Sequence, residues 1–164
     1  HSSRHAISRS SHKVIKEGDI VQLNISARVD GYSACIGIPV SMGIVSGHKR
    51  DIVEFGLYAH GWTREQLKAG VKSSAIAKDY IDLFKSNGYQ DNYLYGPCHG
   101  IGMIEVEAPW MESNSKYDLM PNMTFQIDTF VASSDFGIRW EKGIRITDGG
   151  CADLSGWDMK ITEI

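Results

Sequence analysis

Gly96-Pro97-Cys98-His99-Gly100-Ile101-Gly102 sets one imidazole between glycines, and Glu105-Val106-Glu107-Ala108-Pro109-Trp110 follows at once. Glycines beside a histidine permit close backbone packing, and the apolar run with spaced carboxylates suits a strand that carries a side chain to a ligand. Asp128 and Glu141 lie in two further apolar runs. An unpaired carboxylate is costly to bury, so each needs a partner: the other carboxylate, His99 or Arg139. Cys35 reads first as a small buried apolar side chain. Glu107 is either a solvated edge residue or a site residue. Trp110, after Ala108-Pro109, suits a core or a pocket wall, and His12, His48 and His60 are placed at the surface.

These side chains must be held by regular elements. Ile20 to Val29 alternates apolar positions, and Asp30-Gly31 supplies the positive φ of a tight hairpin before Tyr32 to Val40. Ser46 can cap a helix from about Lys49 to Lys68, with Ile52, Phe55, Gly56 and Ala59 on one face. A second helix is predicted to start at a Ser73-Ser74 cap, to bury Ile76, Ala77, Tyr80, Ile81 and Phe84, and to end near Gly88. Strands are predicted over His99 to Val106, Met123 to Val131 and Gly137 to Thr147, with Ser133-Ser134-Asp135 turning between the last two. A hairpin, two helices and three strands make an α+β chain with helices on one face of a sheet.

The chain has 164 residues, 42% apolar and 23% charged, which is enough for one domain (1–164) with a sizeable core. A formal charge of −3 gives no basic stripe, so nucleic acid is not an expected partner. No run approaches the roughly 18 apolar residues of a membrane span, and residues 1–13 are polar. The three cysteines, Cys35, Cys98 and Cys151, are odd in number and widely spaced, which argues against a disulfide framework and for a cytoplasmic location.

Seven segments, in order, resemble one family. Lys16-Glu17-Gly18-Asp19-Ile20-Val21 is similar to its Gly-Asp-hydrophobic strand opening, and Asp30-Gly31-Tyr32 to the turn before its second metal-binding aspartate. The Gly96 to Gly102 stretch resembles Gly-His-Gly-Ile-Gly, and Val106 to Pro109 resembles His-Glu-x-Pro. Pro121 to Asp128 is similar to Pro-Gly-Met-x-hydrophobic-x-hydrophobic-Glu, and Ile138-Arg139-Trp140-Glu141 to hydrophobic-Arg-hydrophobic-Glu. Ile146 to Gly150 matches the following Val-Thr-Glu-x-Gly. The family is that of the pita-bread hydrolases, peptidase family M24: methionine aminopeptidase, prolidase, Xaa-Pro aminopeptidase and creatinase. The resemblance implies the C-terminal portion of an α+β pita-bread domain without its first helices and strand. It also implies a homodimer, or a longer parent chain covering the exposed sheet.

Active members hold two metal ions through two aspartates, a histidine and two glutamates, whose bridging carboxylates keep two hard cations together and acidify a bound water. The family positions fall on Asn24, Cys35, His99, Asp128 and Glu141. Asn24 is neutral and Cys35 is soft, so the resemblance implies no metal or one divalent ion, zinc or manganese. Val106 stands where the family has the histidine of His-Glu-x-Pro. His5 is the counterpart of the first substrate-side histidine, the general base of metal-free creatinase. Creatinase shares the asparagine at Asn24, but its catalytic glutamate would fall near Gly37.

The implied function is hydrolysis of a peptide (Xaa-Pro or N-terminal) or a small amide bond. His5, His99 and Glu107 would handle protons or orient substrate, while Asp128, Glu141 and Trp110 would bind it. Two alternatives stay open: a mononuclear zinc site built from Cys35, His99, Asp128 and Glu141, and an inactive domain that binds a peptide or protein.

Overall fold

Asp30 and Gly31, with φ of 50° and 88°, turn β1 (Ile20–Val29) into β2 (Tyr32–Ser41) in a computed structural model that describes residues 12–164. His5 therefore lies outside the described residues. Positive φ at both central residues gives a turn whose twist matches that of the strands, and pairing runs unbroken from Val29↔Tyr32 to Ile20↔Ser41. Helix α1 (Gly47–Gln66) has Ser46 at the predicted N-cap position, but the Ser46 side chain makes no capping hydrogen bond. Helix α2 (Ser73–Ser86) starts after Lys72, so Ser73 is its first residue rather than its cap. The Ser73 hydroxyl donates instead to Tyr117 O at 2.7 Å, tying the helix start to a distant loop.

The predicted strand from His99 to Val106 is replaced by two short ones, β3 (Cys98–Gly100) and β4 (Glu107–Trp110). The glycines are the reason. A Cβ on Gly100 would lie 2.5 Å from Ala108 O, and one on Gly102 would lie 2.5 Å from Glu107 Oε1, so the backbone doubles back on itself there. Strands β5 (Thr124–Ala132), β6 (Gly137–Ile146), β7 (Cys151–Asp153) and β8 (Thr162–Glu163) complete a sheet of order β1-β2-β6-β5-β3-β4, with β7 on β6 and β8 on β2.

Side chains alternate across a strand, so each long strand offers one face to the helices and one to the site. Phe125, Ile127, Val131, Ile138, Trp140, Ile144 and Ile146 are buried with Ile52, Val53, Ile76, Ala77, Tyr80 and Phe84 of the helices. Gly56 marks the closest approach: a Cβ there would lie 2.6 Å from Ile138 Cδ1 and 2.9 Å from Trp140 Cδ1. Gly56→Ala is expected to cost about 1–3 kcal/mol from overpacking, more than the roughly 1 kcal/mol that alanine's helix propensity returns. Denaturant titration measures this, and a stabilised variant would show that α1 can back away freely.

His60, placed at the surface by the sequence, is 2% exposed. It follows Val53 and Gly56 on the stripe that α1 buries, so helical periodicity overrides its polarity. Its Nε2 has no hydrogen-bond partner, and burial, then the Lys142 charge, holds its pKa down at about 4 against an ordinary 6.5. The unfolded chain therefore takes up the proton first as pH falls. The fold is expected to lose on the order of 3 kcal/mol between about pH 6.5 and pH 4 from this group. Urea titrations at neutral and acid pH should show a steeper loss for the wild type than for His60→Met; parallel losses would refute it.

Candidate functional site

One line of residues crosses four strands. Asn24 pairs with Gly37, Gly37 with Glu141, and Glu141 with Asp128. On β3, His99 pairs with Gln126, one step along the same face from Asp128. Gly37 is required at its place, because a Cβ there would lie 2.4 Å from Glu141 Oε2. The Glu141 carboxylate fills that space, and the Asn24 side-chain amide donates to its Oε2.

His99 Nδ1 lies 2.9 Å from Gly100 O, an oxygen that can only accept, so this nitrogen carries the proton. In the neutral ring Nε2 then presents its lone pair. Among the described residues that atom is buried without a hydrogen-bond partner, 3.8 Å from Asp128 Oδ2. Donor atoms of His99, Asp128 and Glu141 all lie within 4.8 Å of one another, and among the described residues no other such group forms. A nitrogen and two carboxylate oxygens gathered in one buried place, with a carbonyl fixing the tautomer, are donor types that would suit a divalent cation.

The other oxygens of the carboxylates are held in place. Tyr95 donates its hydroxyl to Asp128 Oδ1 at 3.0 Å and accepts from Arg139 Nη2 at 2.7 Å. Arg139 Nε lies 3.2 Å from the same Oδ1, an ion pair out of line for a hydrogen bond, and Nη1 lies 3.6 Å from Glu141 Oε1. The guanidinium also sits over the Tyr95 and Phe130 rings, 5.8 and 5.6 Å from their centroids. Burial raises the pKa of Asp128, opposed by Arg139, Tyr95 and His99. Burial first, then the charge of Asp128, pushes Glu141 up to about 8, against the pull of Arg139 and Asn24. One arginine thus faces two buried carboxyl groups, of which Glu141 is pushed toward its neutral form.

The remaining predicted residues divide. Asn24 serves Glu141 as a hydrogen-bond donor. Cys35 is 5% exposed on the site face, yet it is not in the donor group. Burial, then the charge of Glu141, pushes the pKa of its thiol up to about 12. The four-ligand set with Cys35 is therefore not assembled. Glu107 accepts the Ile104 N–H at 2.9 Å and closes its own loop. Trp110 is half exposed, its ring 6.1 Å from that of His99. Tyr95, Gln126 and Glu105 were not anticipated. Tyr95 lies in an aperiodic segment before His99, and no local pattern marks it.

The fold is the α+β pita-bread fold, and its sheet brings one histidine and two carboxylates together. A family model, Metallopeptidase family M24, matches residues 1–148, and the chain belongs to that family. It is 28% identical over 145 residues to the uncharacterized peptidase YqhT of Bacillus subtilis, covering 86% of this chain and 40% of that protein. It is 25% identical over 153 residues to a Xaa-Pro dipeptidase of Pyrococcus furiosus, covering 93% of this chain and 44% of that protein. Among solved structures, it is similar to a Xaa-Pro dipeptidase of Bacillus anthracis (TM-score 0.92, 25% identity, 99% of this chain and 46% of that one). The X-Pro aminopeptidase of Thermotoga maritima shares the fold at a TM-score of 0.91 and 24% identity, with 99% of this chain and 46% of that one covered. The chain spans less than half the length of these relatives. No helix among the described residues is long and apolar enough to cross a membrane.

Proposed function

We propose that this chain carries the cation-binding part of an M24-type hydrolase that cleaves a peptide (Xaa-Pro or N-terminal) or small amide bond with no metal or a single divalent ion, zinc or manganese. The observation that supports it best is the bare His99 Nε2 facing Asp128 Oδ2 across 3.8 Å, with Glu141 completing the group. When bound, the ion supplies Lewis acidity and an acidified water. A second ion finds no bridging carboxylate at Asn24 or Cys35, which disfavours the dinuclear arrangement.

The chain's own residues position and protonate. Gly100 O orients the His99 ring, Tyr95 and Arg139 fix the Asp128 carboxylate, and Asn24 fixes Glu141. In the metal-free form, with its pKa pushed up to about 8, Glu141 can exchange a proton near neutral pH, which suits general acid–base work. Trp110 offers substrate an apolar wall. We place the protein in the cytoplasm, as a homodimer or with a further segment beside the sheet.

Equilibrium dialysis of the longest natural chain against manganese and against zinc is expected to give about one equivalent bound, with turnover of a Xaa-Pro dipeptide. Two equivalents would overturn the single-ion site. A second reading, an inactive domain that binds a peptide or protein, is favoured by Arg139, which already offsets part of the carboxylate charge that a cation would answer. Saturable peptide binding with no product at long incubation would select it.

A further inference from the structure

Beside the Asp128–Glu141 face, a cleft of about 340 Å³ is lined by Ser26, Ala27, Arg28, Ser33, Ile104 and Glu105. Its walls are the β1–β2 hairpin and the loop between β3 and β4, and three contacts clamp them together. Arg28 Nη2 donates to Met103 O, Ser33 N donates to Gly102 O at 2.7 Å, and the Ser33 hydroxyl lies 3.5 Å from Met103 O. The clamp sets the Glu105 carboxylate at the boundary between cleft and site, where its charge acts on Asp128, Glu141 and Cys35.

Two charged groups line the cleft, and they are committed differently. Arg28 is engaged with a carbonyl of the opposite wall. Among the described residues, no charged side chain forms an ion pair with the Glu105 carboxylate. A carboxylate so placed retains most of its capacity to accept, and two hydroxyls, Ser26 and Ser33, stand in the same lining. The space accommodates one amino-acid side chain.

We propose that this cleft receives a positively charged side chain of the ligand, a lysine ammonium or arginine guanidinium, and that Glu105 is the residue that selects it. The inference rests on the hydrolase reading for the bond cleaved next to that side chain, and not for the binding itself. It adds a specificity determinant from a position outside the His99, Asp128 and Glu141 group.

Titration calorimetry with lysinamide and with norleucinamide, close in shape but for the terminal ammonium, tests it on the full chain. The wild type is expected to bind lysinamide about 10-fold more tightly, as a charge-assisted hydrogen bond allows. Raising the salt concentration should shrink the difference. Glu105→Gln should erase the preference, and Glu105→Lys should reverse it. Equal affinities, no binding of either amide, or a preference that survives Glu105→Gln would overturn the proposal. Lysinamide preference without turnover of any peptide would overturn the hydrolase reading alone; turnover without charge preference would overturn this one alone.

Discussion

His99→Ala is expected to abolish peptide turnover and to weaken divalent-ion binding by more than the roughly 10–100-fold that loss of an outer-shell partner costs. The ring supplies the only nitrogen of the donor group, and its Nε2 has no other partner to satisfy it. The fold should survive, because His99 lies on a three-residue strand beside Trp110 and outside both apolar clusters. Steady-state kinetics, ion titration and thermal unfolding on the same preparation separate the effects. Retained turnover in a folded variant would sink the assignment, and a collapsed thermal transition would show that the ring is structural.

Arg139→Met should produce the largest stability loss, about 3–5 kcal/mol, because it leaves two buried carboxylates without their shared cation. The loss should depend on pH in a definite direction. Glu141 titrates near 8 with the guanidinium in place, and removing that cation raises its pKa further. At acid pH the carboxyl is neutral and the missing charge matters little; the penalty grows as pH rises through about 8. Manganese or zinc at 100 times its Kd should return about 2.7 kcal/mol. Adding Asp128→Asn to the variant should also recover stability, since a neutral side chain replaces one stranded charge. Urea titrations at several pH values measure all of this, and a flat penalty below about 1 kcal/mol would show that the arginine is not the counter-ion.

Much of the scaffold was legible locally. The alternation of Ile20 to Val29, the Asp30-Gly31 turn and the β5 and β6 runs were placed within a residue or so of their observed limits. His60 misled because polarity was weighed above its place on the α1 stripe. The segment after His99 misled because the glycines that let the histidine strand pack closely also let the chain reverse at Gly100. Of the partners expected for Asp128 and Glu141, Arg139 lies against both; Tyr95, which completes that network, could not be found because it lies in a loop without periodicity.

The sequence by itself determined most of the elements and the family, and it named His99, Asp128 and Glu141 among five candidate positions, because periodicity and short motifs act between residues near in the chain. Only the tertiary structure decided what those donors face. Asn24 and Glu141, 117 positions apart, meet because β2 lies between their strands and carries glycine at Gly37. The Cys35 thiol, buried on the same face, stays outside the group that His99, Asp128 and Glu141 form. Strand register and competition between side chains set these distances, and neither is encoded in any short stretch of the chain.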